Sequence, residues 1–143
     1  ELVAADAQTW RPEAPLDAVL LDAPCSATGT LRRHPDIAWL KKPQDVVKLA
    51  DLQRRLLVAA ADMVRPGGTI VYCVCSLQPE EGAAVVDAGL AAGLPLRRQP
   101  IDAAEVGGLA ELISPVGDLR TLPCHLADKG GMDGFYAARL ERV

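Results

Sequence analysis

Apolar residues recur along this chain in two rhythms, and the changes from one to the other divide it into elements. Asp17-Ala-Val-Leu-Leu-Asp22 is a near-continuous apolar run between two aspartates. This pattern predicts a strand buried on both faces of a parallel sheet. From about Asp45 to Arg65 the apolar positions Leu49, Leu52, Leu56, Ala60, Met63 and Val64 return at three- and four-residue steps, which predicts an amphipathic helix. Pro43 suits its first turn, and Pro66-Gly67-Gly68 is expected to end it. Thr69-Ile-Val-Tyr-Cys73, rich in β-branched residues, reads as the next strand. Pro79-Glu80-Glu81 then opens a helix to about Ala92, with acids in the first turn where the helix dipole favours them. Further strands are expected at Leu2–Asp6, Leu94–Ile101 and Gly134–Arg139, with a hairpin around Gly117-Asp118 inside the loop-rich stretch 102–134. Strand, loop, helix, strand, loop, helix is the order of a doubly wound α/β domain. No internal repeat or low-complexity tract interrupts it.

In open α/β sheets the functional site lies at the carboxyl ends of the strands. Two segments with chemistry end strands in that way. One is Asp22-Ala-Pro-Cys25 and the other is Cys75-Ser76, fifty residues further on. The topology predicts that they face one pocket. Each residue also has a bland reading. Asp22 could cap a turn through loop amides, Cys25 could be a small buried hydrophobe, and Cys73 reads best as core packing. If the strand ends at Val74, Cys75 no longer shares the face of Cys73.

Composition narrows the classes. Hydrophobic residues make up 50% of the 143-residue chain and aromatic residues only 3%, so the core is expected to be aliphatic. No apolar run approaches the roughly 18 residues of a membrane span, and no basic leader with a cleavage site is visible. The expectation is a cytoplasmic protein whose four cysteines stay reduced. The net charge of −4 argues against nucleic acid, but its distribution argues back. Residues 31–55 carry seven basic against three acidic residues, a local +4 that leaves −8 for the remainder. A basic stripe containing Arg32, Arg33, Lys41 and Lys42 can attract phosphate, or be a solvated helix face. Cys73, Cys75, Cys124 and His125 could in principle hold zinc, but their spacing matches no knuckle and no metal is expected. His34, before Pro35, could touch phosphate or simply face solvent.

Taken together, the motifs resemble the Sun/Fmu group of the Nol–Nop–Sun family of RNA cytosine-5 methyltransferases. The resemblance rests on Asp22-Ala-Pro-Cys-Ser-Ala-Thr-Gly-Thr30, Arg33-His-Pro-Asp36 with Trp39, Gly67-Gly-Thr-Ile-Val-Tyr72, Cys75-Ser-Leu-Gln-Pro-Glu-Glu81 and Gly131-Met-Asp-Gly-Phe-Tyr136, in that order over nearly the whole chain. The bacterial type acting on small-subunit ribosomal RNA is the most similar. The resemblance implies a Rossmann-like class I methyltransferase fold, mostly parallel with an antiparallel last strand. It implies S-adenosyl-L-methionine as cofactor and RNA, ribosomal in kind, as partner. Cys75 inherits the role of nucleophile, although Val74 stands where the family has threonine. Cys25 inherits that of the second cysteine, which assists product release. Asp22 would lie near cofactor and base, as the candidate proton donor at ring nitrogen 3. Asp6 matches the acid at the adenine end of the cofactor. Arg32, Arg33, Lys41 and Lys42 would hold the RNA backbone.

The chain opens on Glu1 and shows no glycine-rich cofactor loop, so residues 1–143 are expected to be part of a catalytic domain, inactive alone. Three rival readings follow from the same residues. They are a non-catalytic RNA-binding module, a structural zinc or redox domain, and an enzyme with the thiol roles exchanged.

Overall fold

The computed structural model describes residues 1–143. Two parallel strands, β1 (Leu16–Asp22) and β2 (Val64–Val74), lie side by side, with Val19 opposite Ile70 and Asp22 opposite Cys73. The crossover between them carries α1 (Ile37–Leu40) and α2 (Pro43–Met63). After β2 come α3 (Ala83–Ala91), β3 (Leu96–Arg98), β4 (Leu119–Thr121) and β5 (Phe135–Arg142). The last strand, β5, runs antiparallel to β2 and places Ala138 opposite Tyr72. Its other edge is shared, with β3 pairing at Leu140–Arg142 and β4 at Phe135–Ala137, both antiparallel. The α/β architecture and the antiparallel last strand are therefore as expected. The hairpin near Gly117 is present as a bridge between Ile113 and Leu119.

Alternation sets which residues reach the core. Ile70, Tyr72 and Val74 of β2 meet Tyr136, Ala138 and Leu140 of β5 beneath α2 and α3. Leu57, Ala60 and Ala61 of α2 and Val85 and Val86 of α3 complete a mostly aliphatic core. Its two aromatic rings, Tyr72 and Tyr136, meet edge to face at 6.4 Å.

Four expectations need correction. The strand read at Leu2–Asp6 does not form: of the two courses expected for Leu2–Ala5, re-pairing with Asp17–Leu21 or an irregular path, the structure has the irregular and exposed one. Leu20 is 72% exposed, so β1 is covered on one face only, that of Val19 and Leu21. The strand expected at Thr69 begins at Val64, because Leu16 pairs with Val64 and the irregularity lies inside the ladder. The Arg142 guanidinium also donates to the Val64 carbonyl. Finally, α3 begins at Ala83 rather than at Pro79. Residues 79–82 form turns closed by Glu81 N–H to Gln78 O and Gly82 N–H to Pro79 O.

Candidate functional site

Because β1 and β2 are parallel neighbours in register, both chains leave the sheet at the same end. The ladder continues one step past Asp22, where Ala23 N–H donates to Cys73 O at 3.0 Å. Pro24 has no N–H to extend it, and the loop turns through Ala27 at φ 59° into a short 3-10 turn at Thr28–Thr30. From the other side β2 stops at Val74, which frees Cys75 from the alternation. The result is a pair of free thiols, with Cys25 Sγ and Cys75 Sγ 3.5 Å apart and both half-buried. That separation exceeds the about 2.05 Å of a disulfide. Cys73 is buried, with its sulfur 3.9 Å from Asp22 Oδ1.

Burial pushes the Cys25 thiol up to about 12, with Cys75 and Glu81 adding to the shift and the Ala27 backbone opposing it. Burial, then Asp22, pushes Cys73 up to about 11. Both therefore hold their protons at neutral pH.

The two loops are fastened to each other. Gly29 N–H donates to Cys75 O at 3.0 Å, and Leu77 N–H donates to Thr28 Oγ1 at 2.9 Å. Arg120 reaches in from β4 and donates to Ser76 O and Leu77 O at 3.0 and 2.7 Å. Beneath both loops lies Glu81, expected from sequence to be a first-turn acid of a helix and fully buried here. Its carboxylate accepts from Ser26 N–H (2.8 Å), Ser26 Oγ (2.5 Å), Ser76 Oγ (2.5 Å) and Gln53 Nε2 (3.2 Å). Sequence reasoning missed Glu81 and Arg120. The available signal for Glu81 was a serine directly after each of the two cysteines.

Gly29 is required for a different reason. A Cβ there would lie 1.9 Å from Gly134 O and 2.9 Å from Cys75 O, and both obstacles are backbone. Gly134 N–H also donates to Gly29 O at 2.8 Å. Gly29→Ala is therefore expected to destabilise the fold by about 3 kcal/mol, the upper part of the overpacking range. A urea titration at fixed pH measures it, and an unchanged midpoint would show that the loop yields freely.

The remaining predicted residues divide into two groups. Arg33 is committed to Asp133, with Nε to Oδ2 at 2.6 Å and Nη2 to Oδ2 at 2.5 Å. This pairing holds the Asp133 carboxyl below its usual range. Arg32 donates to Gly130 O at 2.5 Å. Both arginines thus brace the segment before β5. Lys41 and Lys42 are exposed, form no salt bridge, and line a cavity of about 390 Å³ together with Ser26, Thr28, Gln78 and Glu80. Trp39, 88% exposed, precedes them by two residues. Asp22 is exposed and has the weak Cys73 contact as its side-chain partner. Asp6 is not brought to the thiols. Its Oδ1 accepts from Gln8 N–H at 2.9 Å, in a segment tied to α2 by Arg55–Gln8 and Arg11–Asp62 contacts. His125 Nδ1 accepts from Leu122 N–H, and Cys124 is exposed. No group of three or more His, Cys, Asp or Glu side chains is gathered as for a metal ion. No helix is long and apolar enough to cross a membrane.

Comparison with known proteins places this geometry among relatives. A model of the family described as "16S rRNA methyltransferase RsmB/F" matches residues 2–141. The chain is 42% identical to ribosomal RNA small subunit methyltransferase B of Vibrio cholerae over 94% of its length and 28% of that protein's. With the protein of the same name from Thermus thermophilus it shares 42% identity over 87% of this chain and 29% of that one. It thus spans under a third of the length of these relatives. Among solved structures, that of NSun6 from Pyrococcus horikoshii with SFG superposes with a TM-score of 0.77 at 26% identity, over the whole of this chain and 34% of that one.

Proposed function

The chain belongs to the 16S rRNA methyltransferase RsmB/F family, and from that membership we propose that residues 1–143 supply the thiol-bearing part of the active site of an enzyme that methylates carbon 5 of a cytosine in ribosomal RNA. The activity is proposed for the full-length protein that carries this chain, and not for these residues alone. The observation that carries the proposal is the 3.5 Å approach of Cys25 and Cys75 sulfurs at the exits of two adjacent parallel strands.

Carbon 5 of cytosine is a poor nucleophile. Addition of the Cys75 thiolate to carbon 6 converts the ring to an enamine whose carbon 5 can attack an electrophilic methyl group. S-adenosyl-L-methionine, when bound, supplies that methyl group. Asp22 fits a cofactor or base contact, being exposed at the strand exit with its carboxylate oxygens free of strong partners. Asp6, exposed with one carboxylate oxygen accepting from Gln8 N–H, is kept as the candidate for the adenine end of the cofactor on the family resemblance alone. Water takes the proton from carbon 5, the electron pair of that C–H bond restores the ring double bond, and the carbon 6–sulfur bond breaks to release the Cys75 thiolate. Cys25 keeps its proton and lies against the departing sulfur, so it can donate a hydrogen bond to that sulfur as it leaves. A base inside a duplex cannot reach the thiol, so the target must be single-stranded or flipped out. Lys41 and Lys42, which form no salt bridge and line the cavity beside the Ser26–Thr28 loop, supply counter-charge for its phosphates.

The test is covalent capture. RNA carrying 5-fluorocytosine has no proton to lose from carbon 5, so the adduct persists after methyl transfer. Digestion of the captured full-length protein and peptide mass spectrometry should place the nucleotide on the peptide containing Cys75. An adduct on Cys25, or none with cofactor and target RNA present, would reject the assignment.

A further inference from the structure

The Glu81 carboxylate has no part in the chemistry above, yet it is fully buried and takes four hydrogen bonds. Burying a carboxylate is costly unless its oxygens are satisfied. Here no cation satisfies them. The donors are neutral groups of Ser26, Ser76 and Gln53. Two of these residues directly follow the two thiols, Ser26 after Cys25 and Ser76 after Cys75. Oε2 accepts from both serine hydroxyls at 2.5 Å, so a single oxygen joins the two loops. Gln53 extends the tie from α2, donating to Glu81 Oε1 and to Pro24 O at 2.8 Å. The backbone of residue 81 is held as well, since Tyr72 O–H donates to its carbonyl at 2.5 Å. The carboxylate is therefore a fixed point set on the core strand β2, from which both thiol loops hang.

We infer that Glu81 is a positioning residue for the thiol pair: its carboxylate fastens the residue after Cys25 to the residue after Cys75 and so sets the approach of the two sulfurs. The inference rests on the function proposed above and adds to it a residue that touches neither RNA nor cofactor. Removing the carboxylate takes away the acceptor shared by both serines and leaves them their longer hydroxyl contacts with each other (3.1 Å) and with Thr28, so the thiol loops lose their tightest tie. A misplacement of about 1 Å at a reacting atom costs on the order of 10²-fold in rate.

The amide of a glutamine can rebuild the tie. Its carbonyl oxygen accepts from Ser26 N–H and Gln53, and its NH₂ donates to the two hydroxyls, which rotate to receive it. Glu81→Gln, Glu81→Ala and Ser76→Ala are compared in the full-length protein by two readouts. One is the rate of 5-fluorocytosine RNA capture, with the KM for RNA measured alongside. The other is disulfide formation between Cys25 and Cys75 driven by diamide, mapped by peptide mass spectrometry. In that reaction the two thiols lose two protons and two electrons to the diazene, giving one disulfide and one hydrazine.

Glu81→Ala should slow capture by about 100-fold with the KM for RNA nearly unchanged, and should slow the disulfide as well. Glu81→Gln should recover most of both. Ser76→Ala, which keeps the carboxylate and loses one tie, should fall between, and it stands in if Glu81→Ala does not fold. A glutamine variant as impaired as the alanine variant would show that the charge matters rather than the tie, and would overturn the inference. Unchanged capture in Glu81→Ala or in Ser76→Ala would overturn it too. If wild-type protein captures no RNA but its disulfide still depends on Glu81, the proposed function fails and the positioning role stands.

Discussion

In the full-length protein, Cys75→Ala is expected to abolish covalent capture and to lower methyl transfer by about 10⁴-fold or more, the scale on which loss of a covalent nucleophile is felt. Cys25→Ala should act in the opposite sense on capture. It leaves the attacking sulfur in place and removes its neighbour, so adducts should form and persist while turnover falls. The asymmetry comes from the two environments. Cys25 sits in a loop where burial raises its thiol well above the ordinary value, so it keeps its proton at neutral pH. A thiol so placed is a poor choice of nucleophile at neutral pH and a good hydrogen-bond donor to an adjacent anionic sulfur. Cys75 lies just past the end of β2, half-buried and released from the sheet's alternation. Single-turnover assays with target RNA, alongside gel-shift detection of the adduct, separate the two variants. A stable adduct in Cys75→Ala and none in Cys25→Ala would exchange the roles.

Which parts of this site could be read from sequence follows from the range of the interactions. Local patterning located the strands that matter, because Val19 and Leu21 of β1 and Ile70, Tyr72 and Val74 of β2 keep strict alternation towards one core. The rule that sites form at strand exits then brought Asp22, Cys25 and Cys75 to the same end of the sheet, although fifty residues separate the thiols. Long-range polar pairing was not legible. Glu81 looked like a helix-start acid, and the convergence of Ser26, 55 residues away, and Gln53, 28 residues away, with nearby Ser76 makes its burial tolerable. Arg33 looked like a free phosphate ligand, and its carboxylate partner lies 100 residues downstream. Pro66-Gly67-Gly68 looked like a terminator, yet pairing of Val64 with Leu16 keeps the segment in the sheet. In each of these cases a deciding partner is distant in sequence, whether a polar side chain or the backbone of another strand, so neither period nor propensity reports it.

Alkaline stability should report the Cys25 environment directly. Its ordinary value is 9.0 and its folded value about 12, so the folded state resists ionisation that the unfolded chain allows. The sign follows from linkage: a group raised in the folded state contributes its full stability below the unfolded value and loses it as pH rises towards the folded one. Between pH 9 and 12 each pH unit should therefore remove about 1.4 kcal/mol through Cys25 alone. Cys73, raised to about 11, adds a similar slope between pH 9 and 11. Tyr72 and Tyr136, whose hydroxyls burial also raises from 10.0, steepen the loss above pH 10. Cys25→Ala keeps those groups and loses only the lesser part of the Tyr72 shift that Cys25 causes, so Cys25 dominates the difference between the two proteins. Urea midpoints measured from pH 7 to 11 should be flat to about pH 9 in both. Above that they should fall less steeply in Cys25→Ala, so that the variant gains on wild type by about 2–3 kcal/mol at pH 11. Parallel curves would mean that Cys25 ionises as freely in the folded protein as in the unfolded chain. It would then hold its proton at neutral pH only as an ordinary thiol does, without the margin that burial gives it.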